Sequence, residues 1–156
     1  MDFGKTSSLE EIKAEIERME KAGFMTSKEA EAVDAKAIYG LFTSPLGKRM
    51  LSAEKMQREF KFSLLCDAKD VFDLAEGEEL LLQGVVDCFI EEEGELVVID
   101  YKTDLVRDEA ELEAKRELYT GQIKAYANAL ERICGKRVKQ GVLYFLSIGK
   151  SCEISL

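Results

Sequence analysis

The strongest constraint on this chain is a pair of apolar runs, "LLLQGVVDCFIEE" from Leu80 and "GELVVIDYK" up to Lys102, meeting at Glu93-Gly94. Runs of Val, Ile and Leu bounded by a glycine turn predict two strands of a hairpin. A two-residue turn at Glu93-Gly94 pairs Glu92 with Glu95. Counting back, it sets Asp87 opposite Asp100 and Val85 opposite Lys102. A four-residue loop on the same centre gives the same register, and a three- or five-residue loop shifts it by one. Side chains alternate along a strand, so Asp87, Asp100 and Lys102 are expected on one face.

Opposed residues bring their Cβ atoms to about 5 Å, and like charges placed there destabilise the pair. The two carboxylates therefore require a cation between them, either Mg²⁺ or Lys102 itself. One outcome is an exposed hairpin end whose acids face water and whose lysine pairs with one of them. The other is a site. Phosphodiester hydrolysis needs charge on the phosphate neutralised, hydroxide made from water and a leaving oxygen stabilised. A metal held by Asp87 and Asp100 serves the first and third needs, and Lys102 near the attacking water serves the second.

Upstream of the hairpin the apolar period is helical. Ser8 with Glu11 reads as a capping box opening a helix that carries Leu9, Ile12, Ile16 and Met19 and stops at Gly23. A second helix is expected from Thr26 and Glu29, stacking Val33, Ala37 and Leu41. Ser44-Pro45 opens a short third one carrying Leu46, Met50 and Leu51. From Lys55 the pattern alternates, with Met56, Arg58, Phe60 and Phe62 expected on one side and Gln57, Glu59, Lys61 and Ser63 on the other. The stretch 67–79 reads as a connection with one helical turn. After the hairpin come a long helix ending at Gly135 and one or two strands. This order predicts an α/β or α+β fold, a mixed central sheet flanked by helices, in one domain of 156 residues. Residues 1–54 form its helical part and 55–156 its core.

The chain contains no histidine, which removes Ser-His-Asp and Cys-His chemistry. The four cysteines form no CxxC pair, so no zinc site is expected. Cys66 and Cys88 sit in apolar runs as small hydrophobes. A net charge of -9 argues against a nucleic-acid grip built from bulk positive charge, but not against a small metal site that meets DNA. The polar start shows no signal peptide and no apolar run spans a bilayer, so the expected location is the cytoplasm.

Gly84-x-x-Asp87, Asp100-Tyr101-Lys102-Thr103 and Gln122-x-x-x-Tyr126, in this order and spacing, resemble the RecB-type branch of the PD-(D/E)XK nuclease superfamily. "MTSKEAEAVDAKAIYGLFTSPLGKRML", "REFKF", "LYTGQIKAYANALERICGKRV" and "LYFLS" extend the resemblance over nearly the whole chain, to the C-terminal nuclease domains of AddAB-type bacterial helicase–nucleases. The resemblance implies a restriction-endonuclease-like core and a Mg²⁺-dependent deoxyribonuclease, with Mn²⁺ as a substitute. Its expected setting is an ATP-dependent helicase–nuclease acting in double-strand-break repair. Asp87, Asp100 and the Tyr101 carbonyl would ligate the metal, and Lys102 would be the catalytic lysine. Glu59 would help to hold the metal or its water, while Gln122 and Tyr126 would position the lysine or the DNA. Implied partners are DNA, a helicase part of the same polypeptide and a second, AddB-like nuclease subunit.

Relatives usually carry a metal-ligating histidine on a preceding helix, so the chain reads as an excised fragment whose isolated activity is expected to be weak or absent. Cys134 and Cys152 are isolated, so no iron–sulfur cluster is expected. The rival expectation is a non-catalytic nuclease fold used for docking or for guiding DNA.

Overall fold

The structure is a computed structural model that describes residues 1–67 and 79–156. The expected helical turn in the connection 67–79 lies outside these residues, apart from the ends of the flanking strands. In chain order the elements are a 3-10 turn at Phe3–Lys5, α1 (Leu9–Lys21), α2 (Ser27–Ala32), α3 (Ala35–Thr43), α4 (Pro45–Ser52), β1 (Lys55–Asp67), β2 (Glu79–Glu92), β3 (Glu95–Lys102), α5 (Glu109–Cys134), β4 (Val138–Phe145) and β5 (Lys150–Ile154). Among the described residues the strands form one five-stranded sheet in the order β1-β2-β3-β4-β5. Within it only β3 and β4 run parallel, and α5 makes the crossover between them. The sheet is therefore mixed and helix-flanked, as expected.

Side-chain alternation divides the core in two. On one face Leu96, Val98, Leu143 and Phe145 pack with Leu112, Ile123, Ala127 and Leu130 of α5. On the other, Val97, Ile99, Val142 and Tyr144 pack with Leu41 of α3 and with Leu46 and Met50 of α4. Val97, Val98 and Ile99 are each 0% exposed, so β3 is covered on both sides. Gly141 sets how closely α5 approaches: a Cβ there would run into Ile123 Cγ2.

The helix starts follow their caps, with two differences from the expected pattern. Ser8 Oγ accepts from the Glu11 N–H at 3.1 Å, but the Glu11 carboxylate turns to the N–H and hydroxyl of Ser7 rather than closing a box on Ser8. The single helix expected from Thr26 is two. Asp34 accepts from the N–H groups of Lys36 and Ala37, capping α3 just after α2 has ended at Ala32.

The strand alternation expected from Met56 to Phe62 also breaks. Met56 packs on the α4 side, whereas Phe60 and Phe62 pack on the α5 side. Glu59 has φ 50° and is left out of the ladder between Arg58↔Cys88 and Phe60↔Val86. The neighbouring strand turns over at the same level, with Val86 facing α5 and Cys88 facing α4. Both strands thus exchange their faces around Glu59 and Asp87.

Candidate active site

The hairpin register is the expected one. Glu92 pairs with Glu95 and the pairing runs on to Cys88↔Ile99, across a turn in which Glu93 and Gly94 have φ 54° and 80°. Such paired positive φ values match the twist of the flanking strands. Beyond Cys88 a side chain takes over from the ladder: the Tyr101 N–H donates to Asp87 Oδ2 at 3.0 Å. The carboxylate of Asp87 is thereby bound into the gap between β2 and β3. The expected opposition of Asp87 and Asp100 is therefore not a ladder pair, because the regular pairing ends at Cys88↔Ile99. The strands turn over at this residue, so simple alternation no longer applies. Val85 likewise does not appear as the ladder partner of Lys102.

Asp100 and Lys102 do share a face, the one toward α5. Asp100 is 3% exposed, and Lys102 Nζ lies 2.7 Å from its Oδ2. The ammonium thus pairs with a carboxylate oxygen that is otherwise shut off from solvent. Burial above all holds the Asp100 carboxyl above the ordinary carboxylate range. The charge of Asp87 pushes the same way, and Lys102 pulls it down. An exposed hairpin end with water-facing acids does not describe these residues.

α5 supplies the rest of the cluster. Lys102 Nζ donates to Gln122 Oε1 at 2.8 Å, and Gln122 Nε2 donates to the Tyr126 hydroxyl at 2.9 Å. The Tyr126 ring stands edge-on to Phe62, with centroids 6.0 Å apart. Gly84 makes room for both: a Cβ there would lie 2.9 Å from the Phe62 ring and 3.3 Å from Tyr126. The spacing Gly84-x-x-Asp87 thus joins a position that needs no side chain to one that offers a carboxylate. A further side chain, absent from the expected set, is Tyr119, whose ring lies under Lys102 Nζ at 3.8 Å. Its hydroxyl donates to Asp104 Oδ2 at 3.1 Å, while Lys115 Nζ donates to Asp104 Oδ1 at 2.7 Å. Lys115, Tyr119, Gln122 and Tyr126 recur at helical spacing on α5, which was the available signal.

On the α4 side, the partly buried Tyr101 ring packs near Met50, with its hydroxyl 3.9 Å from the sulfur. Burial pushes the Tyr101 phenol well up and the neighbouring Cys88 thiol up to about 11, so neither ionises near neutrality. Glu59 is exposed. It lines an open cavity of about 690 Å³ together with Asp87, Tyr101, Arg58 and Phe3. The Arg58 guanidinium stacks on Phe3 at 4.2 Å and donates to the Met1 carbonyl at 2.8 Å.

Among the described residues no three Asp, Glu or Cys side chains converge as a ready-made metal cage. The donor set is two carboxylates, one of them buried and paired with Lys102. That fits Mg²⁺, which commonly takes one or two protein carboxylates and completes its shell with water and phosphate oxygens.

Residues 4–151 match the PD-(D/E)XK nuclease superfamily. The chain is 40% identical over 157 residues to an ATP-dependent helicase/nuclease subunit of Thermoanaerobacter sp. (strain X514), covering 98% of this chain and 13% of that protein. It is 40% identical over 155 residues to the corresponding helicase/nuclease protein of Acetivibrio thermocellus, covering 96% and 12%. With that of Clostridium botulinum (strain Loch Maree / Type A3) the identity is 36% over 159 residues, covering 99% and 12%. The chain spans about an eighth of the length of these relatives. Among the described residues no helix is long and apolar enough to cross a membrane.

Proposed function

Since the chain belongs to the PD-(D/E)XK nuclease superfamily, we propose that it is a divalent-metal-dependent deoxyribonuclease domain, hydrolysing phosphodiesters as the nuclease part of a bacterial helicase–nuclease. The observation that carries this reading is the cluster at the end of β3, where buried Asp100, Lys102 and Gln122 meet beside the carboxylate of Asp87.

Asp87, Asp100 and the Tyr101 carbonyl would hold Mg²⁺ or Mn²⁺, with Glu59 holding its water from the cavity side. When bound, the metal supplies charge neutralisation at the phosphate and a more acidic water. Lys102 provides a fixed positive charge and N–H donors for the attacking water or a phosphate oxygen. Gln122 accepts from that ammonium and fixes its direction, and Tyr126 fixes Gln122 in turn. Asp100 keeps Lys102 from swinging away into solvent.

The wider setting of this proposal has its support in relatives that are named as ATP-dependent helicase/nuclease proteins. DNA is the substrate, fed by a helicase part of the same polypeptide. A second, AddB-like nuclease subunit is the partner, and the work is exonucleolytic processing of double-strand breaks in the bacterial cytoplasm. On this reading residues 1–156 are one nuclease domain.

The test is made in the natural full-length protein. Asp100→Ala and Lys102→Ala should each lower Mn²⁺-dependent cleavage of single-stranded DNA by on the order of 10²–10⁴ while leaving ATP-driven unwinding intact. Calorimetric titration should show Mn²⁺ binding that Asp87→Ala weakens. Cleavage unchanged in both site variants would sink the reading and leave a nuclease fold used for docking or for guiding DNA.

A further inference from the structure

We propose that Tyr119 is a positioning residue for Lys102, and that Asp104 holds Tyr119 in place for that purpose. The inference rests on the nuclease reading above. Lys102 Nζ has three neighbours on the α5 side: Asp100 Oδ2 at 2.7 Å, Gln122 Oε1 at 2.8 Å and the Tyr119 ring at 3.8 Å. The first two are oxygens on one strand and one helix, and two anchors leave an ammonium free to pivot about the line between them. The ring closes that freedom. Its negative face attracts the cation without presenting a lone pair that takes its proton. The lysine is thus confined on a third side.

The ring itself is fixed from several sides. Tyr119 donates its hydroxyl to Asp104 Oδ2, and Lys115, one turn earlier on α5, donates to Asp104 Oδ1. Ser147, in the β4–β5 connection, donates its hydroxyl to the Asp104 carbonyl at 2.6 Å. The Lys115 hydrogen bond, above all, keeps the Asp104 carboxyl below its ordinary range, so the clamp stays anionic near neutrality. These bonds run among Tyr119, Asp104, Lys115 and Ser147, apart from the carboxylates of Asp87 and Asp100. Tyr119 therefore acts on the reaction through the lysine.

The experiment compares Tyr119→Leu, Tyr119→Phe and Lys102→Ala in the natural full-length protein. It measures Mn²⁺-dependent cleavage of single-stranded DNA, Mn²⁺ affinity by calorimetry, and the rate at which acetic anhydride labels Lys102, read by peptide mass spectrometry. Tyr119→Leu should lower kcat about tenfold with KM and Mn²⁺ affinity unchanged, and should raise Lys102 labelling several-fold. Tyr119→Phe, which keeps the ring but loses the bond to Asp104, should fall between Tyr119→Leu and wild type in both, and a Tyr119→Phe protein indistinguishable from wild type overturns the role given to Asp104. Loss of cleavage in Lys102→Ala combined with wild-type kcat and labelling in Tyr119→Leu overturns the inference alone. So does a Tyr119→Leu protein whose Mn²⁺ affinity falls in step with kcat. Cleavage that is indifferent to Lys102→Ala overturns the nuclease reading and the inference with it.

Discussion

Asp100 is an acid kept where an acid is costly. It is almost wholly buried, and its charge is met by the Lys102 ammonium 2.7 Å from Oδ2. Burying a carboxylate costs free energy even when a lysine pairs with it. On the reading proposed above, that cost is borne for the sake of the chemistry. Gly84 makes the complementary case, a residue whose value lies in having no side chain. Adding one methyl places Cβ 2.9 Å from the Phe62 ring and 3.3 Å from Tyr126, both tied to α5 packing. Gly84→Ala should therefore lower stability by about 1–3 kcal/mol, seen as an earlier urea midpoint. It should also lower cleavage in the full-length protein, because displacing Tyr126 frees Gln122.

Between single residues and the sheet stands the exchange of faces in β1 and β2. Glu59 adopts φ 50°, which for a non-glycine residue costs about 1 kcal/mol or more. In return Met56 faces α4 while Phe60, Phe62 and Leu64 face α5. Glu59→Gly should keep the fold and match or exceed wild-type stability by about 1 kcal/mol. Glu59→Val, β-branched in a left-handed position, should lower it by about 1–3 kcal/mol. Chemical denaturation of the two variants checks the pair.

This exchange is also where the sequence is hardest to read. "KMQREFKFSLLC" reads as a single strand, and a glutamate gives no warning of a positive φ, whereas Glu93-Gly94 announces its turn through the glycine. The hairpin register and the meeting of Lys102 with Gln122 were therefore legible, from a turn and from a motif. The division at Asp34 was not, because the alanines around it favour a continuous helix and only the side-chain cap outweighs them. Tyr119 gave no separate signal, because an aromatic on a long helix reads as packing until its neighbour across the crossover is known.

The charge pattern of the whole domain sets its response to acid. Glu15 is 2% exposed and accepts from Arg18 and from the Asp2 N–H, tying α1 to the N-terminal segment. Its hydrogen bonds to Arg18, above all, hold its carboxyl down at about 2, against an ordinary value of 4.5. A carboxyl depressed by folding adds stability above its unfolded value, and that stability disappears as pH falls through the folded one. The loss should therefore run from pH 4.5 to about pH 2. Glu91, Glu92 and Asp104 are shifted in the same direction, whereas Asp100 is shifted the opposite way. Urea midpoints should fall across this window in the wild type. Glu15→Gln should be less stable near neutrality and close to wild type at the acid end of the window.

The parallel crossover β3–α5–β4 has a kinetic consequence. The β2–β3 hairpin needs only contacts between near neighbours in the chain, so it can form early and bring Asp87 to the Tyr101 N–H. Gln122, Tyr119 and Tyr126 arrive on a helix of 26 residues that is seated by packing against β4, a strand made later still. Loop closure makes that docking the slow step. During synthesis, then, the acids of this domain exist before their lysine is caged, and a ribosome that has not yet delivered Val138–Phe145 carries a hairpin without a centre.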